Sequence, residues 1–325
     1  MKRRSIISNA GGVTLGAALP VLAQTPPKVW RIGVIVFSVL SKDYKGFPMV
    51  NAVLREMGLE VDRDFVLEPR FIDGQADRAP ALIADMADKR VDLIVVGGDD
   101  QIAIARKATS TIPIVMLYSD APVKLGFVAS LSRPGGNITG LTAGDFVEKN
   151  LQLLHDISPS AKHIGLLLDP AYPASTLMIE RLQPTVAAMG CRLRVLPSQT
   201  QADVESAFAS IIKDRVDALA VTGTLGLNGR RTRIIEFAAL HRLPAMYFNL
   251  QWVRDGGLIG RQIDEAERIR QGWRIIGKIL KGAKPADIPV EQAARHEVIL
   301  NLKTARAMGL KIPQSVRFQA TEVIE

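Results

Sequence analysis

The chain is poor in the residue types that most often carry chemistry. It has one cysteine, Cys191, among 325 residues, so an intramolecular disulfide is impossible. Its four histidines are dispersed, and His296 with Glu297 lacks the second histidine that a zinc-protease helix requires. The sequence therefore predicts no metal site, and it predicts that Cys191 is a buried structural thiol.

The loops that bind cofactors or activate a nucleophile are also missing. No Gly-x-Gly-x-x-Gly follows a predicted strand, because Gly223, Gly226 and Gly229 have a different spacing. Neither a Walker A sequence nor a Gly-x-Ser-x-Gly elbow is present. These absences argue against a dinucleotide site and a hydrolase elbow, so we predict no cofactor and no catalytic residue.

Positive charge is in small excess and is concentrated at the N-terminus. The formal net charge is +8, and Lys2, Arg3 and Arg4 supply three of these charges. The remaining excess is mild and scattered, unlike the basic patch that nucleic acid requires. No nucleic-acid partner is predicted.

Residues 1–23 have the pattern of a secretion signal. Basic residues precede an apolar stretch rich in Gly and Ala, and Ala23 is a natural cleavage point. Arg3 and Arg4 fit a loose twin-arginine pattern, and a Sec signal that contains two arginines fits as well. No cysteine near Ala23 offers a lipid anchor, and no comparable apolar stretch follows residue 24. The sequence predicts a free periplasmic protein without stable membrane insertion.

The most informative pattern present is an internal repeat. Four segments recur in the same order at an offset of 125 to 132 residues. Two similar lobes in one chain leave a cleft between them, where a small ligand can be enclosed. The repeated pairs are 31–37 with 163–169, 57–61 with 189–193, 91–97 with 216–222, and 112–117 with 243–248.

Each half alternates apolar runs of strand length with segments of helical spacing. This order is typical of parallel sheets, so the predicted fold is α/β with two doubly wound parallel-sheet lobes. Glycine-containing segments near 140–142 and 256–260 are the expected hinges. The predicted strands are 30–37, 65–71, 91–96, 112–118, 163–168, 191–196, 217–222, 245–248 and 297–302. The predicted helices are 46–57, 77–89, 102–108, 174–189, 201–213, 229–241, 264–280 and 303–308.

Ligands of open parallel sheets bind beyond the carboxyl ends of the strands. The residues at these positions combine hydroxyls, carboxylates and a few aromatic rings, which suits a small polar or zwitterionic solute. Since adjacent side chains usually point apart, one of Asp99 and Asp100 is expected to cap the next helix and the other to face the cleft. The predicted ligand-binding residues are Ser38, Ser41, Gly98, Asp99, Asp100, Tyr118, Asp120, Asp169, Tyr172, Ser175, Thr222, Thr224 and Asn249.

Several segments resemble the ABC transporter substrate-binding protein family that includes tryptophan- and tyrosine-type binders. They are TSTIPIV at 109–115, GFVASLSRPGGNITG at 126–140, KGAKPADIPVE at 281–291 and ILNLKTARAMGL at 299–310. The resemblance covers about residues 31–325, and RPGGNITG is its specific block. It implies the type I periplasmic binding fold, a Venus-flytrap of two lobes joined by a three-stranded hinge. It also implies a monomer whose partners are an ABC permease and its ATPase.

The chain departs from the family pattern at the expected site. Gly97-Gly-Asp-Asp100 stands where relatives have Gly-Gly-Thr-Pro or a similar run, and Asp169 replaces a commoner Asn. Arg261 replaces a tyrosine of the family. The added acids favour a cationic or amine-bearing ligand. Arg261 either holds a ligand carboxylate bidentately, which adds it to the predicted site, or forms an interlobe salt bridge to one of the aspartates.

The leading hypothesis is an extracytoplasmic solute-binding protein that delivers an amino acid or amine-like solute to a permease. The alternatives are a ligand sensor for a membrane receptor and a secreted hydrolase that uses carboxylates across the cleft. The predicted N-terminal lobe comprises 30–141 plus about 261–285, and the C-terminal lobe comprises 142–260 plus about 286–325.

Overall fold

The computed structural model describes residues 28–36, 46–72, 75–144, 146–293 and 295–325. The predicted signal segment, Ser38 and Ser41 lie outside these residues. Within the described ranges, no helix is both long enough and apolar enough to cross a membrane.

The first half of the chain builds a parallel sheet covered on both faces. Its elements are β1 (Trp30–Val36), α1 (Gly46–Glu56), β2 (Phe65–Phe71), α2 (Ala79–Asp88), β3 (Leu93–Val96), α3 (Asp99–Ala108), β4 (Ile114–Met116) and β5 (Ile138–Thr142). Strands β1 to β5 pair in parallel in the order β5-β4-β3-β1-β2.

Strand β1 shows why this sheet is buried on two sides. Ile32, Val34 and Val36 point into one hydrophobic core, whereas Ile35 points into the core on the opposite face. Both sets are less than a tenth exposed, as expected for the near-continuous apolar runs of parallel strands.

The second half repeats this architecture. Its elements are α4 (Phe146–Ile157), β6 (His163–Leu168), α5 (Ser175–Ala188), β7 (Arg192–Pro197), α6 (Gln201–Lys213), β8 (Ala218–Val221), α7 (Leu225–Asn228), α8 (Arg231–Leu240), β9 (Ala245–Tyr247), α9 (Leu250–Arg254) and β10 (Ile259–Ile263). These strands also pair in parallel, in the order β10-β9-β8-β6-β7.

The C-terminal segment contributes to both sheets. It contains α10 (Glu265–Leu280), β11 (Glu291–Gln292), β12 (His296–Asn301), α11 (Leu302–Met308), α12 (Gln314–Gln319) and β13 (Glu322–Ile324). Helix α10 supplies core residues of the first lobe, and β11 pairs with β5 in parallel. Strand β12 joins the second sheet antiparallel to β10, and β13 pairs beside it.

The connections between the sheets lie beyond the predicted hinge segments. Residues 140–142 belong to β5, and 256–260 lead into β10, so the chain crosses after Thr142, after Ile263 and again after Gln292. The prediction placed the hinges at the glycines, but Gly140 is needed within the sheet. Its φ is +141°, and a Cβ there would collide with the Met116 carbonyl oxygen on β4.

Backbone hydrogen bonds tie the three crossings together. The Ala293 N–H donates to the Thr142 carbonyl at 3.0 Å, and the Asp264 N–H donates to the Arg295 carbonyl at 3.0 Å. By sheet membership β10 belongs to the second lobe and β11 to the first. The lobe extents given above, with boundaries at about 261 and about 286, stay a prediction.

Candidate functional site

A cavity of about 540 Å³ lies where the carboxyl ends of the two sheets face each other. This is the position that the strand-end rule predicts for a ligand, and the volume is in the range of small-molecule sites. Both lobes contribute to its walls. The described residues that line it are Val34, Ile35, Val36, Phe47, Val50, Gly97, Gly98, Asp100, Gln101, Leu117, Tyr118, Asp120, Phe146, Tyr172, Met178, Thr222, Gly223, Thr224, Asn228, Phe248, Asn249, Leu250, Gln251, Arg254, Gln262, Ile263, Glu265, Arg268, Trp273 and Glu297.

The wall from the first lobe is largely apolar. Val34, Val50, Leu117 and Trp273 face the cavity and are otherwise buried. Trp273 comes from α10, so the chain has to return from the second sheet to complete this wall. An apolar ligand body placed here would be shielded from water.

Two further rings lie on the cavity wall. Phe146 begins α4, and Phe248 follows β9; their ring centroids are 5.8 Å apart in an edge-to-face arrangement. The His296 ring stacks on Phe146, with the ring centroids 5.6 Å apart. The pair offers aromatic surface to a ligand ring, since such rings prefer edge-to-face or offset contacts.

The wall from the second lobe is richer in hydrogen-bonding groups. The Asn249 side chain caps α9 by accepting from the Gln251 N–H at 2.9 Å. The Gln262 side-chain oxygen accepts from the Leu250 N–H at 3.1 Å. Local folding therefore uses one polar atom of each of these side chains, Asn249 and Gln262.

Thr224 lies on the same wall, but its side-chain oxygen is not used in local folding. It is 7% exposed, and its Oγ1 has no hydrogen-bond partner among the described residues. Most buried hydroxyls have a partner, so one without a partner on a cavity wall needs an explanation.

The first turn of α3 separates the two adjacent aspartates. Gly98 is the N-cap residue of α3. Its φ of +86° is a backbone conformation that L side chains rarely adopt. Asp100 lines the cavity, whereas Asp99 is fully buried behind it. The prediction that one aspartate faces the cleft agrees with this geometry. The prediction that the other caps the helix is wrong, because Gly98 is the cap and Asp99 turns inward.

Asp99 and Asp120 form a buried carboxyl cluster with two hydroxyl groups of the first lobe. The Ser119 hydroxyl donates to Asp99 Oδ1 at 2.5 Å, and the Asp120 N–H donates to Asp99 Oδ2 at 3.2 Å. The Tyr118 hydroxyl donates to Asp120 Oδ1 at 2.7 Å.

Tyr172 connects this cluster to the second lobe. Its hydroxyl lies 2.7 Å from Asp120 Oδ2 and 3.1 Å from Asp99 Oδ2. The tyrosine follows β6, so this contact joins the two lobes across the cleft.

Burial disfavours the charged forms of these groups. Burial and the neighbouring Asp120 charge raise the pKa of Asp99 to about 7. Burial also raises the pKa of Asp120, and it raises the pKa of Asp100 to about 6. The pKa values of Tyr118 and Tyr172 lie well above the usual tyrosine range for the same reason, so both hydroxyls keep their protons.

Arg181 borders the cluster from α5. It forms a two-pronged pair with Glu148, with Nε–Oε1 and Nη2–Oε2 distances of 2.7 Å. Its Nη2 also donates to the Gly144 carbonyl at 2.8 Å, next to the crossing after Thr142. The positive charge opposes the rise in the Asp120 pKa, and Glu148 adds to it.

The cavity brings together eight of the predicted ligand residues and leaves four off its wall. Asp99, Asp169, Ser175 and Arg261 are not among the lining residues. Asp169 and Ser175 shape the loop that carries Tyr172: the Ala171 N–H donates to Asp169 Oδ1 at 2.9 Å, and the Ser175 hydroxyl donates to the Asp169 carbonyl at 2.6 Å. The eight that line the cavity are Gly98, Asp100, Tyr118, Asp120, Tyr172, Thr222, Thr224 and Asn249.

Arg261 adopts a position that the sequence did not anticipate. Its guanidinium carbon lies 5.8 Å from the centroid of the Phe146 ring. Arg261 therefore packs on an aromatic residue of the cavity wall.

Several lining residues were missed by sequence reasoning. Arg268 and Trp273 lie on α10, and Glu297 lies on β12, so none of the three is at the end of a strand of the repeated units. Burial and the nearby Asp264 charge raise the pKa of Glu297. The helical spacing of α10 was visible in the sequence, but nothing in that spacing shows which face meets the cleft.

Over the described residues, no group of three or more His, Cys, Asp or Glu side chains could hold a metal ion. Cys191 is buried, as predicted, and its thiol donates to the Ala161 carbonyl at 3.1 Å.

Two parallel-dominated sheets with a cleft at their carboxyl ends define a two-lobed binding protein. The chain belongs to the family of ABC transporter substrate binding proteins, whose family model matches residues 31–324. The predicted family and fold class are thereby confirmed.

A named relative supports this assignment. The tyrosine-binding protein of Clostridioides difficile (strain R20291) is 26% identical over 226 residues, which are 70% of this chain. The aligned region spans 65% of that relative's length.

Two solved structures share the fold. The ABC domain in complex with L-Trp from Streptococcus pneumonia has a TM-score of 0.81 and 23% identity. A conserved domain protein from Vibrio cholerae O1 has a TM-score of 0.80 and 23% identity. In both cases the match covers 91% of this chain and 100% of the other.

Proposed function

We propose that this protein captures a small solute, an amino acid or amine-like molecule, between its lobes and delivers it to an ABC permease and its ATPase. It acts as a monomer in the periplasm, after export directed by residues 1–23. The observation that carries the proposal is the cavity of about 540 Å³ lined from both lobes in a chain of this family.

The cavity walls favour an amphipathic ligand. The first lobe offers apolar surface, and Phe146 and Phe248 offer aromatic surface. Hydroxyl, amide and carboxylate groups complete the walls. The names of two similar proteins, one tyrosine-binding and one in complex with L-Trp, support an aromatic amino acid as the first solute to test.

Closure follows from contacts that exist only when the lobes meet. A ligand that touches both walls binds the closed form more tightly than the open form, so it shifts the population toward closure. We assign the ligand contacts to the predicted residues on the wall, with Ser38 and Ser41 as further candidates.

Binding without catalysis suits the carboxyl groups better than hydrolysis does. Asp99 is fully buried and off the cavity wall, and both its oxygens accept hydrogen bonds from protein groups. Asp120 shares its oxygens with Tyr118 and Tyr172. A general acid or base needs direct reach to the substrate. Asp99 lacks this reach, and each oxygen of Asp120 already accepts a tyrosine hydroxyl.

A binding screen tests the proposal. The purified protein is heated with amino acids, aromatic acids, amines and sugars, and hits are measured by isothermal titration calorimetry. A ligand at 100 times its Kd should add about 2.7 kcal/mol to the free energy of unfolding, which raises Tm clearly. We expect a single saturable site for at least one amino acid or amine. Binding confined to sugars, or no binding in the panel, would contradict the proposed solute class.

Uptake separates delivery from sensing. Cells that lack the gene should lose uptake of the identified solute, and the intact gene should restore it. If uptake persists while a transcriptional response to the solute is lost, the protein serves a receptor and the delivery step is wrong.

A further inference from the structure

The two walls of the cavity differ in the hydrogen-bonding groups that they leave available. In the first lobe, the N–H groups at the end of β3 are already used. The Gly97 N–H donates to the Gln101 side-chain oxygen at 3.0 Å, and the Gly98 N–H donates to the Tyr118 carbonyl at 3.1 Å. These two amides therefore cannot receive a ligand carboxylate.

The first lobe instead presents a carboxylate at this place. Asp100 lines the cavity, and its Oδ1 accepts the Gln101 N–H at 2.8 Å. A carboxylate has about four acceptor positions, so this hydrogen bond leaves most of its capacity free. The negative charge of Asp169 from the other lobe acts on Asp100 as well, so two acids favour a cation between the lobes.

The second lobe presents donors. Thr224 is a lining residue of the cavity, and its buried Oγ1 has no partner among the described residues. A buried hydroxyl without a partner gains a hydrogen bond when a ligand oxygen reaches it.

Asn228 lies on the same wall, and its orientation is fixed. The Trp252 indole N–H donates to Asn228 Oδ1 at 2.7 Å, and both residues are buried. An indole nitrogen can only donate, so the amide oxygen has to face the tryptophan. The Nδ2 hydrogens of Asn228 consequently point away from Trp252, on a residue that lines the cavity.

We infer that the ligand lies across the cleft with a fixed polarity, its carboxylate on Thr224 Oγ1 and Asn228 Nδ2 of the second lobe and its ammonium on Asp100 of the first lobe. This inference rests on the proposed function and names the ligand class more narrowly: a zwitterion is required. Each charged group contacts a different lobe, so a molecule that has only one of them closes the cleft poorly.

Three related molecules test this polarity. L-tryptophan carries both groups, tryptamine lacks the carboxylate, and indole-3-propionate lacks the ammonium; L-tyrosine, tyramine and 3-(4-hydroxyphenyl)propionate form a second set. The wild-type protein should bind one of the two amino acids at least tenfold more tightly than either of its analogues, measured by calorimetry. Charge-assisted hydrogen bonds have strengths that correspond to roughly tenfold to hundredfold in affinity.

Two substitutions should act on different ends of the ligand. Thr224→Val removes the hydroxyl at nearly constant volume. It should lower the affinity for the amino acid about tenfold and leave the affinity for the amine analogue unchanged. Asp100→Asn should lower the affinity for the amino acid and for the amine. The affinity for the desamino acid should be unchanged or higher. Thr232→Val and Asp88→Asn are the matched controls, because both residues are exposed and neither lines the cavity.

If Thr224→Val does not fold, Asn228→Asp replaces it. The new side chain keeps an oxygen for Trp252 and places negative charge toward the ligand carboxylate, so the preference for the amino acid over the amine should disappear. Thr224→Ser, which keeps the hydroxyl, should behave like wild type.

The outcomes separate the two levels of the argument. Equal losses for all three ligands, or an Asp100→Asn variant that binds the amino acid more tightly, would overturn the polarity while the binding function stands. A wild-type protein that binds only solutes lacking the carboxylate or the ammonium would overturn the zwitterion assignment. A protein that binds nothing in the wider screen would overturn the proposed function itself.

Discussion

Asp99 and Asp120 are carboxyl groups that share the hydrogen-bonding capacity of one tyrosine. The Tyr172 hydroxyl has one proton, and it lies within hydrogen-bond distance of an oxygen of each carboxyl group. If Asp99 is protonated, it can donate to the tyrosine oxygen while the tyrosine donates to Asp120. A single proton held at Asp99 therefore satisfies all three groups, in agreement with its raised pKa of about 7.

The Asp99→Asn variant should change how stability depends on pH. In the unfolded chain Asp99 ionises near its ordinary pKa of about 4, whereas in the folded protein it ionises near 7. Between these values the folded state binds more protons, so stability falls as pH rises, by up to about 1.4 kcal/mol per pH unit for one group. The neutral asparagine removes this contribution, and urea titrations from pH 4 to pH 8 should show a shallower decline than wild type.

The Asp64→Asn variant is the matched control, because the pKa of Asp64 is shifted in the opposite direction. The hydrogen bond from the Arg63 guanidinium lowers the pKa of Asp64, so Asp64→Asn should change the slope of stability against pH only where the pH falls toward and below about 4. Asp100, Asp120 and Glu297 also have raised pKa values. The stability of the Asp99→Asn variant should therefore still fall as pH rises, but less steeply than that of the wild type. An unchanged slope from pH 4 to pH 7 would mean that Asp99 is ionised throughout this range.

Sequence reasoning located the strand ends but not the state of each side chain there. Asp100, Thr222 and Thr224 follow strands, and the rule for parallel sheets is enough to bring them to one edge. The inward turn of Asp99 depends on Ser119, which is 20 residues away in sequence. Trp273 reaches the cavity only because α10 packs back on the first lobe, a tertiary contact that local patterns do not contain.

At the scale of elements, the internal repeat extends to the joints between helices and strands. An arginine with a left-handed backbone lies two residues beyond the helix before β3 and two residues beyond the helix before β8: Arg90 with φ of +52° and Arg215 with φ of +50°. Each is followed by Val and Asp. The aspartates then hold the neighbouring strand: Asp92 accepts the Arg31 N–H at 2.8 Å, and Asp217 accepts the His163 N–H at 2.9 Å.

Arg215→Gly should stabilise the protein. A left-handed backbone is strained for a residue that has a Cβ and unstrained for glycine, and the Arg215 side chain is exposed. We expect a gain of about 0.5–1 kcal/mol in the free energy of unfolding, measured by urea denaturation. Arg192→Gly, at an exposed position in β7, should lose about the same amount because glycine weakens a strand. A loss at both positions would show that the arginine side chain matters more than the backbone strain.

Elements with strong local signals were predicted best. Strand β6 and helix α6 were predicted with their observed bounds, His163–Leu168 and Gln201–Lys213. Helix α6 begins at a capping box formed by Thr200 and Asp203, a signal that lies entirely within the local sequence. Strand β5 was predicted as a hinge, because its glycine and two threonines have no helical or strand period. The tail after Pro313 has little pattern, yet it forms α12 and β13 against the second lobe.

At the scale of the whole molecule, hydrogen bonds between protein groups already hold the lobes together. The Tyr172 hydroxyl from the second lobe reaches Asp99 and Asp120 of the first lobe. Arg181, also from the second lobe, reaches the Gly144 carbonyl near a crossing. Part of the free energy of closure is therefore independent of any ligand, which raises the population of the form that is ready to bind.

Tyr172→Phe should open the ligand-free protein. The substitution removes the hydroxyl that joins the lobes and keeps the ring, and hydrogen bonds to charged groups contribute about 1.5–3 kcal/mol. The ratio of closed to open molecules should fall by roughly tenfold to hundredfold, and ligand affinity should fall by the loss in the binding-competent fraction. Small-angle scattering of the free protein should show a larger radius of gyration, and a saturating ligand should restore the wild-type value.

Tyr118→Phe is the control, since its hydroxyl donates to Asp120 within the first lobe and its removal leaves the lobes joined. An equal expansion in both variants would place the effect in the buried cluster as a whole, and no expansion in Tyr172→Phe would show that the hinge segments alone set the closed form.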